Sequence, residues 1–263
     1  SIFYLNVESF SIRYQGTSGY PITYASILLF LSLISIYRSF DETNQLQKKL
    51  LVLSVLINIF ITLFTQSLGP ILSFIICLIL ILIYKRKYNY LLASIISILF
   101  LITLSPQLSS KMKALGNIDI TNIMNNESRT IRERVGYIHY AYQRITSTYI
   151  YGIGPQNIEQ DMDKYFSEKN IKYTRVQDHL HNEFLDITTK FGLAAMVLLL
   201  IIYYLIYTSA RTEKPLILLL IIYVICAQVT QSQFSHSQGI TFFISFLYIL
   251  SKSNNDFDIK REK

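Results

Sequence analysis

The sequence predicts an all-α integral membrane protein, and three observations support this. Hydrophobic residues make up 51% of the 263 positions, and the mean hydropathy is +0.36. Charged residues make up 16%, whereas a soluble domain carries about 25%. The apolar residues are collected in seven runs, near 22–37, 50–64, 68–84, 89–104, 184–207, 215–230 and 239–251. We therefore predict a polytopic helical bundle of about seven spans.

The runs favour helices over membrane strands. A spanning helix needs about 20 residues, and most runs reach that length when their Tyr, Ser and Thr ends are included. A barrel strand alternates in hydrophobicity, which "ILSFIICLILILIY" does not, and an isolated strand in lipid leaves its backbone polar groups unpaired. The first residue is Ser, and no basic and apolar leader precedes the first run. We expect the chain to be a piece of a longer protein.

Basic residues mark alternate connections between the runs. They are Arg38, Lys48 and Lys49 in one loop, Lys85, Arg86 and Lys87 in another, Arg211 and Lys214 in a third, and Lys252, Lys260, Arg261 and Lys263 in the tail. The connections "TQSLG" and "QSQFSHSQG" contain no Lys or Arg. Basic loops stay in the cytoplasm, so the start of the chain is predicted outside and its tail inside. The net charge of +7 then reflects membrane topology and does not indicate nucleic-acid binding.

One connection differs from the others in length. Residues 105–190 form an 86-residue outer loop with 11 Lys and Arg against 10 Asp and Glu, a net charge of +1. A loop this long without a function is uncommon. The chain is therefore divided into an external segment with four spans (1–104), a large loop that carries the site (105–190), and three spans with a cytoplasmic tail (191–263).

An amphipathic helix is predicted within this loop. Its apolar stripe consists of Ile131, Val135, Ile138, Tyr142 and Ile145, and its polar side carries Arg129, Arg132, Arg134 and Arg144. The arginines could form a solvated face, lie on anionic lipid headgroups, or clamp a phosphate through their bidentate donors. The segment "GIGPQN" that follows is read as a Gly/Pro turn that ends the helix at Gly152. It lacks the third glycine and the context of a nucleotide-binding loop.

The stretch "DHLHNEFLDITTKFGL" (178–193) contains the strongest candidate for catalysis, His181. If Asp178 caps the following helix, His181 lies in its first turn, where the dipole favours a neutral imidazole and attracts anions. Such a His can act as a general base, although a lone His is more often structural. His179 is expected to be a bystander, and no ligand pattern for a metal surrounds it. Gly192 would allow close helix packing.

Four further residues receive a structural interpretation from the sequence. Cys77 and Cys226 lie inside apolar runs and are predicted to be buried thiols without a disulfide or metal. His236, in a short outer loop, is assigned a structural role. By itself, Arg13 in "RYQGTSGYP" is an ordinary interfacial arginine before the first span.

Taken together, these residues resemble the O-antigen ligase and polymerase superfamily of bacterial inner membranes. "RYQGTSGYPITYA" resembles its Arg-x-x-Gly segment before an apolar span. "RVGYIHYAYQRITSTYIYGIGPQNI" resembles its arginine-led helix with a Gly-Ile-Gly-Pro turn. "HNEFLDITTKFG" is similar to the ligase signature of His-Asn, nine residues and Gly in the large periplasmic loop. The resemblance covers about residues 10 to 250.

The resemblance implies a multi-pass inner-membrane glycosyltransferase whose site faces the periplasm. Its donor would be a glycan on undecaprenyl pyrophosphate, without metal or cofactor, and its acceptor lipid A–core or another glycan. His181 corresponds to the catalytic base, and Arg134 to the arginine that opens the helix, with Arg132 and Arg129 as neighbours that could replace it. Arg13 corresponds to an arginine near the pyrophosphate.

Three functions follow from these expectations. The His-Asn-x9-Gly signature favours an O-antigen ligase, and a polysaccharide polymerase of the same superfamily is the alternative. A transporter for the lipid-linked glycan ranks third, because it would require ionisable residues inside the spans, which have almost none.

Overall fold

The computed structural model describes residues 3–6, 11–14, 21–65, 67–90, 129–148, 150–169, 179–210, 213–230 and 237–252. The chain divides into two compact units. The first comprises Ser1–Lys111, Ile206–Ala227 and Ser237–Lys263, and the second comprises Met112–Leu205 and Gln228–His236. The described part is predominantly helical, as the sequence predicted.

A short hairpin that the sequence did not predict precedes the helices. Strand β1 (Phe3–Asn6) pairs antiparallel with β2 (Ser11–Tyr14), and Tyr4 lies opposite Arg13. Both strands precede the first apolar run. The argument against strands in lipid concerned the apolar runs, and the hairpin lies outside them.

The other elements are helices. In chain order they are α1 (Pro21–Ser39), α2 (Gln45–Thr65), α3 (Leu68–Tyr84), α4 (Arg129–Thr148), α5 (Ile158–Glu168), α6 (Glu183–Phe191), α7 (Leu193–Ser209), α8 (Lys214–Thr230) and α9 (Ser237–Lys252). Of these, α1 and α2 are long and apolar enough to cross a membrane, while α3, α7 and α8 are shorter apolar helices. The fourth predicted span falls mostly outside the described residues, so a count of seven spans stays a prediction.

The first unit packs around α1, which has buried small and apolar residues along its length. Phe30 is fully buried, and its ring lies 5.3–6.0 Å from the rings of Tyr223, Phe242, Phe243 and Phe246. The Tyr223 hydroxyl donates to the Ser26 carbonyl across 2.9 Å. Side-chain packing and interhelical hydrogen bonds therefore join α1 to α8 and α9, as association in an apolar solvent requires.

Ion pairs connect three loops of the first unit. Arg38, at the end of α1, pairs with Glu213 before α8 at 2.9 Å. Lys85, after α3, pairs with Asp41, which follows α1, at 2.5 Å. These contacts bring together three of the loops that the charge pattern predicted on one side of the membrane.

The second unit has an aromatic core between α4 and α5. Its buried members are Tyr137, Tyr140, Ala141, Ile158, Met162, Tyr165, Phe166 and Leu180. Arg144 donates from Nε and Nη2 to the two carboxylate oxygens of Asp161 at 2.6 and 2.9 Å, and the Tyr140 hydroxyl donates to Oδ2 at 2.8 Å. Burial raises the pKa of Tyr140, so this phenol remains a donor. The network fixes α5 on α4.

The predicted apolar stripe of α4 was only partly right. Ile145 packs against the aromatic core, but two other members do not. Ile138 and Tyr142 are exposed, and the buried side is formed by Tyr137, Tyr140 and Ala141. Both sides of this helix carry large apolar groups, and packing of the tyrosine rings against α5 decides between them. Periodicity alone could not make that distinction.

The fifth predicted span, 184–207, is two helices. Gly192 separates α6 from α7 with φ 83° and ψ 175°, a conformation that is essentially limited to glycine. The polar residues of α6 are thereby separated from the apolar helix α7.

The predicted orientation can be tested by cysteine labelling. We expect an impermeant maleimide to label Gln156→Cys in intact cells but Lys87→Cys only after permeabilisation, because they lie in loops assigned to opposite sides. Both native positions are exposed, while the native Cys77 is fully buried. Equal labelling of both variants in intact cells would contradict the topology.

Candidate functional site

The candidate site lies at the start of α6. Asn182 is the N-cap, and its side-chain oxygen accepts a hydrogen bond from the Leu185 N–H at 3.1 Å. His181 directly precedes the cap. The predictions that Asp178 caps the helix and that His181 lies in its first turn were therefore wrong; Asp178 itself lies outside the described residues. Asn is as good a cap as Asp and stands where the chain turns.

His181 adopts a strained backbone. Its φ of 55° falls in the left-handed region, which costs a non-glycine residue about 1–2 kcal/mol. Such residues cluster at functional sites, where the surrounding structure holds them. The His181 side chain is half-buried.

Two aromatic rings lie beside the His181 imidazole. The Tyr137 ring of α4 is 5.7 Å away between centroids, and the His179 ring is 4.5 Å away in an edge-to-face arrangement. Tyr137 is 1% exposed, so it forms a rigid wall. His181 is thus positioned by α4 as well as by its own loop.

A buried carboxylate fixes the backbone of this loop. Asp186 is 3% exposed and accepts the Leu180 N–H at 2.9 Å and the Lys190 Nζ at 2.7 Å. Desolvation raises the pKa of Asp186, while Lys190, the Leu180 N–H and His179 oppose the rise. Since an unpaired buried charge is costly, these partners are what allow the carboxylate to lie here.

The start of α6 is also tied to α8. The Asn182 side-chain amide donates to the Val229 carbonyl at 3.1 Å. Glu183, the first residue of α6, is 1% exposed. The N-terminal end of α6 is therefore buried and is attached through Asn182 to the last turn of α8.

The Gly-Ile-Gly-Pro segment holds the other end of α6. The Gly152 N–H donates to the Thr148 carbonyl at 2.9 Å, which confirms the predicted turn at the end of α4. The Ile153 and Gly154 N–H groups then donate to the carbonyls of Thr189 and Lys190 at 2.9 and 3.0 Å. These are carbonyls of the last turn of α6, which lacks helical partners for them.

Gly192 permits this contact. A Cβ placed there would lie 1.9 Å from the Ile150 carbonyl oxygen, and a Cβ on Gly152 would lie 2.5 Å from the Lys190 carbonyl carbon. The predicted close approach at Gly192 is present, but it is to loop backbone rather than to a neighbouring helix.

The arginines of α4 differ in their surroundings. Arg144 forms an ion pair with Asp161. Arg134 is exposed, yet loss of water around its guanidinium lowers its pKa, and no carboxylate among the described residues pairs with it. Arg134 precedes Tyr137 by three residues, which places the two on neighbouring positions of one helical face. Arg134 is therefore a cation without a described carboxylate partner, one helical turn before Tyr137 on α4.

The remaining candidates are less well defined. Arg13 lies on β2 in the first unit, and Arg129 and Arg132 lie at the start of α4. Sequence reasoning missed Tyr137 and Asp186. The i, i+4 spacing of Asp186 and Lys190 and the i, i+3 spacing of Arg134 and Tyr137 were the available signals.

The backbone at Gly192 lies so close to the backbone at Ile150 that an added methyl group should destabilise the protein at this position. We expect Gly192→Ala to lower the unfolding midpoint of the detergent-purified protein clearly more than Gly154→Ala. Both glycines have positive φ, but a Cβ at Gly154 meets nothing closer than 3.4 Å. The control should lose only about 1–2 kcal/mol, from its left-handed backbone. Equal decreases of the unfolding midpoint in the two variants would show that the contact between Gly192 and Ile150 is not tight.

A family model described as O-antigen ligase matches residues 53–200, more than half of the chain. The matched segment includes Arg134, His181, Asn182 and Gly192, and it ends before α8. No curated protein matches the chain. The match confirms the family predicted from the motifs. The chain belongs to the O-antigen ligase family and is a membrane enzyme of glycosyltransferase type.

Proposed function

We propose that this chain transfers a glycan from undecaprenyl pyrophosphate to an acceptor hydroxyl, with His181 as the general base. The observation that carries the proposal is that the His181 ring packs against Tyr137 of α4, three residues after Arg134 on the same helix. Both His181 and Arg134 lie within the segment matched by the family model. Membership of the family implies a lipid-linked glycan donor and an acceptor in general. That the lipid is undecaprenyl pyrophosphate is part of the proposal.

The reaction requires one displacement. A ring nitrogen of His181 takes the proton of the acceptor hydroxyl as that oxygen bonds to the anomeric carbon. The bond from this carbon to the pyrophosphate oxygen breaks, and its electron pair leaves with the lipid pyrophosphate. Attack opposite the leaving group inverts the anomeric centre, and no metal takes part in the proposed step. A positioned base typically contributes about 10²–10⁴-fold to the rate.

Arg134 is the proposed partner of the leaving group. Its guanidinium offers bidentate donors to phosphate, and partial dehydration strengthens their attraction for an anion. Arg132 precedes Tyr137 by five residues, about 140° around the helix, and Arg129 lies about two turns away. This geometry favours Arg134 among the three. Arg13 remains a further proposed pyrophosphate contact.

The acceptor defines the exact activity. We propose lipid A–core, with a growing glycan as the alternative, on the ligase-like signature "HNEFLDITTKFG". The site would face the periplasm of a bacterial inner membrane, and Asn182 and Gly192 would support it by capping and closing α6. A reconstituted assay that offers lipid A–core and a lipid-linked glycan as separate acceptors distinguishes a ligase from a polymerase. Transfer to lipid A–core alone identifies a ligase, whereas elongation of the lipid-linked glycan identifies a polymerase.

Replacing the proposed base should stop the chemistry. We expect His181→Gln to lower the rate of glycan transfer by at least about 10²-fold, measured as release of lipid pyrophosphate in proteoliposomes. His139→Gln is the matched control, because this imidazole contacts Tyr165 of α5 instead. Wild-type transfer by His181→Gln would remove His181 from the mechanism.

The arginines give a second test. We expect Arg134→Lys to reduce transfer strongly with little loss of thermal stability, because lysine lacks the bidentate fork. Arg144→Lys should instead lower the unfolding midpoint, because it disrupts the bidentate pair with Asp161, and should retain more activity. Strong loss of transfer in Arg144→Lys with near wild-type transfer in Arg134→Lys would show that Arg134 is not the phosphate-binding arginine.

A further inference from the structure

An apolar surface that the proposed reaction does not use lies where the turn after α4 meets the start of α7. Its members are large apolar side chains that are between 43% and 84% exposed: Ile150, Tyr151, Phe191, Leu193, Val197 and Leu198. We call this set the apolar turn surface. None of its members carries a charge, and a contiguous exposed surface of this kind marks a contact with a ligand, a protein or a membrane.

Backbone contacts make the two parts of the apolar turn surface one structure. A Cβ on Gly192, between Phe191 and Leu193, would lie 1.9 Å from the Ile150 carbonyl oxygen. The turn therefore lies directly against the backbone that joins α6 to α7. Its apolar side chains are presented together with those at the start of α7.

A groove of about 470 Å³ lies between the turn and α7. Its lining is aliphatic and consists of Ile150, Leu193, Ala194, Val197 and Leu198. A polar ligand would lose water there and find no side chain with which to form a hydrogen bond, which is costly. A hydrocarbon chain matches this lining.

The apolar turn surface continues along α7. This helix has 17 residues and no charged side chain, and its exposed residues further along include Ile201, Tyr204 and Leu205. The chain is a membrane enzyme, and an uncharged exposed face is suited to lipid, where charged side chains are costly. Tyr151 is 84% exposed at the end where α7 begins, and tyrosine is enriched at the boundary between membrane and water.

We propose that the apolar turn surface is a membrane contact: Ile150 and Tyr151 lie in the interfacial layer of the bilayer, and an acyl chain of a bilayer phospholipid occupies the groove beside α7. The bilayer then holds the turn. The turn in turn holds the last turn of α6, through the N–H groups of Ile153 and Gly154. Lipid thereby fixes the position of α6 relative to the membrane surface.

A single introduced tryptophan tests this contact, because the chain contains none of its own. Tyr151→Trp is reconstituted in phospholipid vesicles that are brominated either close to the headgroup or near the end of an acyl chain. We expect bromine close to the headgroup to quench it about twofold or more strongly than it quenches Lys164→Trp, because interfacial rings lie at that depth. Lys164, on α5 of the same unit, has a side chain that is 74% exposed.

Two further variants define the depth and the groove. Tyr204 is 65% exposed and follows Leu193 by about 16 Å along the axis of α7. Tyr204→Trp should therefore be quenched more by bromine near the end of the chain, the opposite order to Tyr151→Trp. Ala194→Trp places the reporter at the groove, where we expect quenching by bromine close to the headgroup.

Quenching of Tyr151→Trp no stronger than that of Lys164→Trp would overturn the inference. Blue-shifted emission without quenching, in Tyr151→Trp or Ala194→Trp, would also overturn it, because a second copy or another protein segment would then cover the surface. Ile150→Trp repeats the measurement should Tyr151→Trp not fold. No measurement here requires glycan transfer, so these outcomes are independent of the test of His181.

Discussion

The organisation of the second unit depends on hydrogen bonds that hold the short helix α6 at both ends. Asn182 caps its first turn and reaches the Val229 carbonyl. The backbone of Ile153 and Gly154 satisfies carbonyls of its last turn. A nine-residue helix is marginal on its own, so these external bonds keep it in place. They also fix the loop that precedes it, which carries His181.

The second constraint is the burial of charge beside that loop. Glu183 and Asp186 are almost completely buried, and a buried carboxylate is tolerated only where it is paired or hydrogen-bonded. Asp186 is held by Lys190 and by the Leu180 N–H. These bonds constrain the backbone of the loop that carries His181, which is the kind of preorganisation that the proposed base requires.

The sequence predicted the helical class, the break after α4 and the family, because each rests on local signals. Apolar runs, the Gly-Ile-Gly-Pro turn and the His-Asn-x9-Gly spacing can be read directly. The buried side of α4 and the contact between Gly192 and Ile150 could not be, because each is decided by another segment: α5 in the first case and the loop after α4 in the second. The cap at Asn182 rests on a local bond from the Leu185 N–H, but Asp178 was an equally good candidate in the sequence. The hairpin was missed because the membrane-like composition of the rest of the chain dominated the interpretation.

The most direct test is an experimental structure of the protein with a non-hydrolysable lipid pyrophosphate bound. We expect pyrophosphate oxygens within hydrogen-bonding distance of the Arg134 guanidinium, and a sugar-binding space beside the His181 and Tyr137 rings. A pyrophosphate bound elsewhere, with Arg134 facing bulk solvent and His181 covered by protein, would contradict this expectation.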